Sequence, residues 1–233
     1  MPAEWEPHEA TWLAWPHEAT DWPGKFASIG WVYGEIVRRL ARVEKARILV
    51  EDSATEKKAR RVLQRCGANF GQVEFFHCPT DRSWTRDYCP IFVHGEPGQL
   101  TATEWIFNGW AKYDNHHLDN AVPRFVAEQL HLRRIETGVV LEGGSIDVNG
   151  AGVLLTTEEC LLSSVQARNP HLQREPLEQV LATHPGSDQT IWPGRGLPVD
   201  HPHGHVADIA RCVIATTRVE PVTARRPPRA PAP

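Results

Sequence analysis

The stretch 46–77, ARILVEDSATEKKARRVLQRCGANFGQVEFFH, decides the fold class. Ala46 to Val50 is a short apolar run, which predicts a buried strand. Ser53 with Glu56 three residues on has the form of a capping box, and the helix it opens runs through Leu63 to a stop at Gly67. Gln72 to His77, rich in Val and Phe, predicts a second strand. A strand, a helix and a strand at this spacing are the repeating unit of a mixed α/β domain.

The pattern extends on both sides. Ahead of it, Ile29, Val32, Ile36, Val37, Leu40 and Val43 recur at helical spacing and are closed by Lys45 and Arg47. Behind it, strands are predicted at Ile91 to His94 and Leu100 to Phe107, and a helix at Val122 to Leu130. Val139 to Leu141 then opens a run of short strands broken by Gly143-Gly144 and Asn149-Gly150. Pro176 to Leu181 has a helical pattern, and Thr190 to Trp192 and Ala210 to Ala215 are extended. The fold class is therefore α/β, built from repeated strand-helix-strand units in a domain of residues 1–218. Residues 219–233, rich in Pro and Arg, are expected to form a disordered tail.

Composition narrows the function classes. Of 233 residues, 41% are apolar and 23% charged, enough for a packed core. Lys plus Arg number 25 against 29 Asp plus Glu, so no basic excess marks a nucleic-acid-binding surface. No apolar run approaches the ~20 residues of a membrane span, and the acidic, Trp-rich start MPAEWEPH lacks the form of a signal peptide. Five cysteines without CxxC spacing argue against a disulfide framework and fit a reducing, cytoplasmic setting.

Three clusters carry chemistry. In Asp81-Arg82-Ser83-Trp84-Thr85-Arg86-Asp87 two carboxylates bracket an aromatic ring. Such a set can hold a planar cation by bidentate hydrogen bonds and stacking, or can be a solvated loop whose arginines pair with its own acids. In Leu141-Glu142-Gly143-Gly144-Ser145 paired glycines let the backbone pass close to a ligand, or simply form a turn. In Asp200-His201-Pro202-His203-Gly204-His205 the histidines alternate. They offer a metal site, a single acid-base histidine with two bystanders, or a solvated turn, although Pro202 and Gly204 disfavour a regular strand.

Taken in order, these segments resemble the agmatine deiminase and bacterial-type peptidyl-arginine deiminase family of the guanidine-modifying superfamily. The likeness runs from Met1 through Trp15-Pro16, Asp81 to Asp87, Phe107 to Tyr113, Leu141 to Ile146, Leu154 to Leu162, Arg168-Asn169-Pro170 and Gly204-His205-Val206, reaching about Cys212. It implies a partial α/β-propeller (pentein) of about three of five modules, no metal and no organic cofactor, and a small-molecule guanidinium substrate, agmatine or arginine. The implied reaction turns a guanidino group into a ureido group plus ammonia, as in agmatine to N-carbamoylputrescine in putrescine biosynthesis. By the resemblance Asp87 is the substrate-binding carboxylate, His205 the general acid and base, Glu142 the acid orienting that histidine, and Trp84 and Asp81 the pocket wall.

The chain also departs from the pattern. The family's nucleophilic cysteine, in a Gly-rich C-terminal segment ending in a His-Cys pair, has no match. Ala207 stands where a second clamping carboxylate is expected, and Cys89, Pro202 and Cys212 replace other residue types. Cys66, Cys78 and Cys160 are expected to be buried, and Cys89 is poorly placed for attack. The expected molecule is thus a C-terminally truncated deiminase with self-association through uncovered edges. The rivals are an inert remnant that at most binds guanidinium compounds, a metal hydrolase using His201, His203 and His205, and an amidino transferase.

Overall fold

The structure, a computed structural model, describes residues 1–96, 98–196 and 204–219. Three three-stranded sheets follow one another along the chain, and a hairpin follows the third. The first comprises β1 (Ala10–Ala14), β2 (Lys45–Val50) and β3 (Val73–His77), connected by α1 (Phe26–Leu40) and α2 (Ser53–Cys66). All its pairings are parallel, with Leu13 opposite Ile48 and Ile48 opposite Phe75, as crossover helices require.

Alternation along β2 divides its side chains between two cores. Ala46, Ile48 and Val50 pack with Ile29, Tyr33 and Val37 of α1 and Ala59 and Leu63 of α2. Leu49 points the other way, toward Trp12, Tyr88, Phe107 and Val126. That second core joins the first sheet to the second.

The second sheet holds β4 (Ile91–His94), β5 (Leu100–Ile106) and β6 (Arg133–Val140), preceded by a single turn of helix, α3 (Thr85–Tyr88). The pair β4 and β5 is an antiparallel hairpin, and α4 (Val122–Gln129) carries the chain across to a parallel β6. The third sheet repeats this plan: β7 (Asp147–Val148) and β8 (Val153–Leu155) form the hairpin. The helices α5 (Glu158–Leu161) and α6 (Arg174–Thr183) lead to a parallel β9 (Gln189–Ile191). Ile91, Val93 and Trp105 share one core with Leu154, Leu161, Leu177 and Leu181. The closing hairpin is β10 (Arg211–Ile214) with β11 (Thr217–Val219). The repeated strand-helix-strand units are therefore real, and three of them are complete.

Several expectations need correction. The cap of α2 is Asp52, whose side chain accepts the Thr55 amide at 2.7 Å, so the capping box formed by Ser53 and Glu56 does not occur; Gly67 at φ 72° ends the helix as expected. In α1 the buried face is Ile29, Tyr33 and Val37, while Val32 and Ile36 are exposed and Val43 lies beyond the helix at 81% exposure. The strand starting at Val139 begins six residues earlier, at Arg133, hidden by the charged pattern RRIETG. The strand β1 and the turn α3 carry no clear periodicity and were not expected. Cys66 is half-buried against Gly34 rather than enclosed. Of the tail expected at 219–233, Val219 closes β11, and residues 220–233, together with His201 and His203, lie outside the described residues.

Two loops near the second core lock onto each other. The Asp119 carboxylate accepts the Asp81 and Arg82 amides at 2.8 and 3.1 Å, and the Asp81 carboxylate accepts the Leu118 amide at 2.8 Å. Asp119 is fully buried, and its Oδ2 meets no hydrogen-bond donor among the described residues. Burial pushes its carboxyl from an ordinary 3.8 to about 7, against the pull of the two amides.

Because Asp119 binds its proton more tightly folded than unfolded, its contribution to stability is complete below pH 4 and is lost as the pH rises toward 7. Relative to Asp119→Asn, the wild type should lose up to about 1.4 kcal/mol per pH unit across that window and nothing further above it, as read by urea unfolding at several pH values. A difference independent of pH would contradict this. At α2, Asp52→Ala should cost roughly 0.5–2 kcal/mol while Ser53→Ala stays within about 0.5 kcal/mol, a contrast that thermal melts resolve.

Candidate active site

The site begins with α3. This turn of helix is fixed from both sides: Thr85 Oγ1 donates to the Trp12 carbonyl of β1 at 3.0 Å, and Tyr88 OH donates to the Arg82 carbonyl at 2.7 Å. Asp87 is thereby turned inward and buried. Its two oxygens have different donors, the Gly144 amide on Oδ1 at 3.1 Å and the Trp110 indole on Oδ2 at 3.0 Å. Trp110 adopts φ 59° and ψ 27°, a left-handed conformation that a bulky residue rarely accepts, so its position is imposed by the surroundings.

The arginines of this segment do not pair with its own acids. Arg82 pairs with Asp21, and Arg86 pairs with Glu4 while donating to the Gly143 and Ile146 carbonyls at 2.9 and 3.3 Å. Arg82 is buried in its pair with Asp21 and Arg86 is exposed, and neither bonds to Asp87. The self-paired loop is thus not what forms.

Glu142 ends the loop after β6, completely buried. A Cβ on Gly143 would lie 2.2 Å from the Arg86 carbonyl oxygen. One on Gly144 would lie 2.5 Å from His205 Nδ1 and 2.7 Å from Asp87 Oδ1. The paired glycines therefore supply space rather than an unusual backbone angle: the chain passes edge-on between Asp87 and His205. His205, from the segment ahead of β10, brings its other ring nitrogen, Nε2, to 3.5 Å from Glu142 Oε2. Arg168, between α5 and α6, donates its Nε to both Glu142 oxygens, at 3.0 and 3.2 Å, in an ion pair with no exposed side-chain surface.

Charge organises the group. Burial opposes ionisation of Glu142, but the His205 hydrogen bond and the Arg168 guanidinium outweigh it and hold the carboxyl below its usual range. Burial likewise opposes protonation of His205, yet the charge of Asp87 and the bond to Glu142 lift its pKa. Burial pushes the Asp87 carboxyl up, partly offset by the charge of His205. Two acidic and two basic side chains thus share one enclosed space, the arrangement in which buried charges are tolerable.

Asp87, Glu142 and His205 come together from three separate loops. Asp81 and Trp84 do not join them: the Asp81 carboxylate holds Leu118, and Trp84, 39% exposed, stacks on Trp22 with ring centroids 5.0 Å apart. Ala207 and Asp208 sit in a turn just after His205, with Asp208 exposed. Trp110 and Arg168 escape a reading by local pattern; the only signal for them is that they fall inside the family-like stretches. Cys160, read as core, is fully buried and also 4.0 Å from Glu142 Oε2, so it borders the site. Of the remaining thiols, burial pushes Cys78 up to about 11 and Cys89 higher still, which keeps both protonated.

Comparison with known proteins identifies the family. The family model for Porphyromonas-type peptidyl-arginine deiminase matches residues 1–228. An agmatine deiminase of Ectopseudomonas mendocina is 35% identical over 212 residues, covering 88% of this chain and 55% of the relative. One of Pseudomonas putida is 38% identical over 214 residues, covering 88% and 55%. Among solved structures, an agmatine deiminase of Enterococcus faecalis superposes with a TM-score of 0.83 at 29% identity, covering 94% of this chain and 59% of that one. A substrate-bound C. jejuni agmatine deiminase gives 0.81 at 30%, covering 94% and 63%. The chain spans a little over half the length of the curated relatives it matches. Its three repeated sheets are those of the pentein fold, and by sequence and structure alike the chain belongs to the Porphyromonas-type peptidyl-arginine deiminase family.

Proposed function

We propose that this chain carries the guanidinium-binding and proton-transferring part of a deiminase site, with agmatine as the leading substrate. The observation that carries the reading is the meeting of Asp87, His205 and Glu142 from three loops, with Arg168 neutralising Glu142.

The free capacity of each acid separates the roles. A carboxylate has about four acceptor positions. Each Asp87 oxygen has one protein donor, which leaves one lone pair apiece for a forked guanidinium. Glu142 is already occupied, with both oxygens on Arg168 and Oε2 facing His205, so it orients and charges the histidine instead of clamping substrate. A guanidinium is always protonated at physiological pH, so a buried anion is the partner it needs.

In the proposed reaction the nucleophile is a cysteine thiolate of the kind the family uses, a role assigned to none of the five cysteines of this chain; it adds to the central guanidinium carbon and forms a C–S bond. The C–N bond then breaks as His205 gives its proton to the leaving nitrogen, releasing ammonia. Water adds to the resulting thiouronium-like carbon, His205 accepts its proton, and the C–S bond breaks to give the ureido product. The sum is guanidino group plus water to ureido group plus ammonia. For agmatine the product is N-carbamoylputrescine, an intermediate on the way to putrescine. Five thiols outside any disulfide fit a reducing, cytoplasmic setting. No helix among the described residues is long and apolar enough to cross a membrane.

Calorimetric titration separates guanidinium recognition from simple cation binding. Agmatine should bind more tightly than putrescine, which shares the amine but lacks the guanidinium, and Asp87→Asn should weaken agmatine by about tenfold or more. Equal affinities, or an unaffected Asp87→Asn, would sink the reading. Trp110→Phe, which removes the indole donor from Asp87, should weaken agmatine by roughly fivefold or more while leaving putrescine unchanged. Ureido product that persists in His205→Ala would contradict the role given to that histidine.

A further inference from the structure

Cys160 has no part in the proposed reaction, yet it is built into the site. Its Sγ lies 4.0 Å from Glu142 Oε2, and His205 Nε2 lies 3.5 Å from the same oxygen. The three donor atoms are all within 4.8 Å of one another, on side chains that are all buried. Zinc held tetrahedrally, with bonds of about 2.0–2.3 Å, keeps neighbouring donors roughly 3.3–3.8 Å apart. Two of the spacings are therefore at or near coordination distance already, and a contraction of less than about 1 Å brings in the third.

The surroundings supply what such a site needs beyond its ligands. Thr157 accepts the Cys160 amide at 3.0 Å and donates to the Gly204 carbonyl, fastening the cysteine to the residue before His205. A Cβ on Gly204 would press to 3.0 Å on the Cys160 nitrogen, so the glycine is what lets these two segments touch. Arg168 fixes the Glu142 carboxylate by bonding both of its oxygens, as a hydrogen-bonded partner of a ligating carboxylate does. The close approach of Gly144 to Nδ1 defines the ring edge, and Nε2 is the nitrogen left facing the cysteine and the glutamate. Thiolate, carboxylate and imidazole form a donor set suited to a borderline-soft cation.

We infer that Glu142, Cys160 and His205 form a binding site for Zn²⁺, with a fourth coordination position open to water or a small ligand. Its occupancy would withdraw Nε2 of His205 from proton transfer, so under the deiminase reading the metal is an inhibitor. The site itself does not rest on that reading, because binding is measured without turnover.

The test uses the full chain without an affinity tag, titrated with Co²⁺ and then with Zn²⁺. The wild type should show a near-ultraviolet thiolate-to-cobalt band and the visible bands of tetrahedral cobalt, both removed by Zn²⁺. Cys160→Ser should abolish the near-ultraviolet band and weaken Zn²⁺ by more than the roughly 10–100-fold that loss of an outer partner costs, and His205→Ala should weaken it similarly. Cys66→Ser, on α2, should change neither. For a readout independent of variant folding, X-ray absorption of the zinc-loaded wild type should contain a sulfur contribution near 2.3 Å. An absorption shell of nitrogen and oxygen alone, no cobalt band in the wild type, or a band retained in Cys160→Ser would each overturn the inference.

Discussion

Glu142 and Arg168 form an ion pair with no exposed side-chain surface, and much of the site follows from having to keep it. Isolated in the interior, either charge would cost several kcal/mol, and together they still need every remaining lone pair and N–H directed at something. Arg168 covers one side of the carboxylate through its Nε. His205 covers the other, and once protonated it adds a positive charge that Asp87 offsets. Removing any one of the four leaves an uncompensated charge among the others. The geometry is therefore held by electrostatics as much as by packing, which is how His205 can be held in place on a loop rather than on a strand.

The repeated sheets explain why four loops can meet at all. Each complete unit brings its connections to a common region: α3 leads into the second sheet, the Glu142 loop links the second to the third, Arg168 lies within the third, and His205 leads into the closing hairpin. Backbones converging from successive units would collide if each carried a side chain. The contacts that Gly143, Gly144 and Gly204 make are the places where that collision is avoided, against the Arg86 carbonyl, His205 and Cys160 respectively. The glycines of the Glu142 segment are thus part of the same device as the charges: they set the distance over which the charges act.

The sequence made the strand-helix alternation legible because parallel strands buried on both faces are short apolar runs, and Ala46 to Val50 is one. It made α2 legible through its polar cap and terminal glycine, although the capping residue was displaced by one. It failed where pattern and structure part company. The strand β6 is half-exposed and carries four charged or polar residues, so its alternation resembles a loop, and α1 buries Tyr33 where a purely aliphatic count selects Val32 and Ile36. The three central side chains were accessible through motif order alone. Trp110 and Arg168 were not, since a tryptophan in the left-handed region and an arginine bonded sideways through Nε leave no local signature. Asp81 and Trp84 stood out because they flank an aromatic-acidic cluster, but a cluster in sequence does not fix which members face inward.

That last point has a physical cause in the clamp between Asp81 and Asp119. The segment 81–87 must turn from a loop held by Asp119 into an inward-facing helical turn within seven residues. Its first half is held by Asp119, which collects two consecutive amides, and its second half by Thr85 and Tyr88, which bond to backbone carbonyls. Asp81 returns a bond to Leu118, so its carboxylate is consumed in making the turn. Trp84, at the pivot, is left outside against Trp22, and Asp87 is carried in. The two aspartates of the cluster therefore do opposite work. One shapes the loop and the other uses the shape, and what separates them is a buried acid, Asp119, thirty-eight residues from the first in sequence.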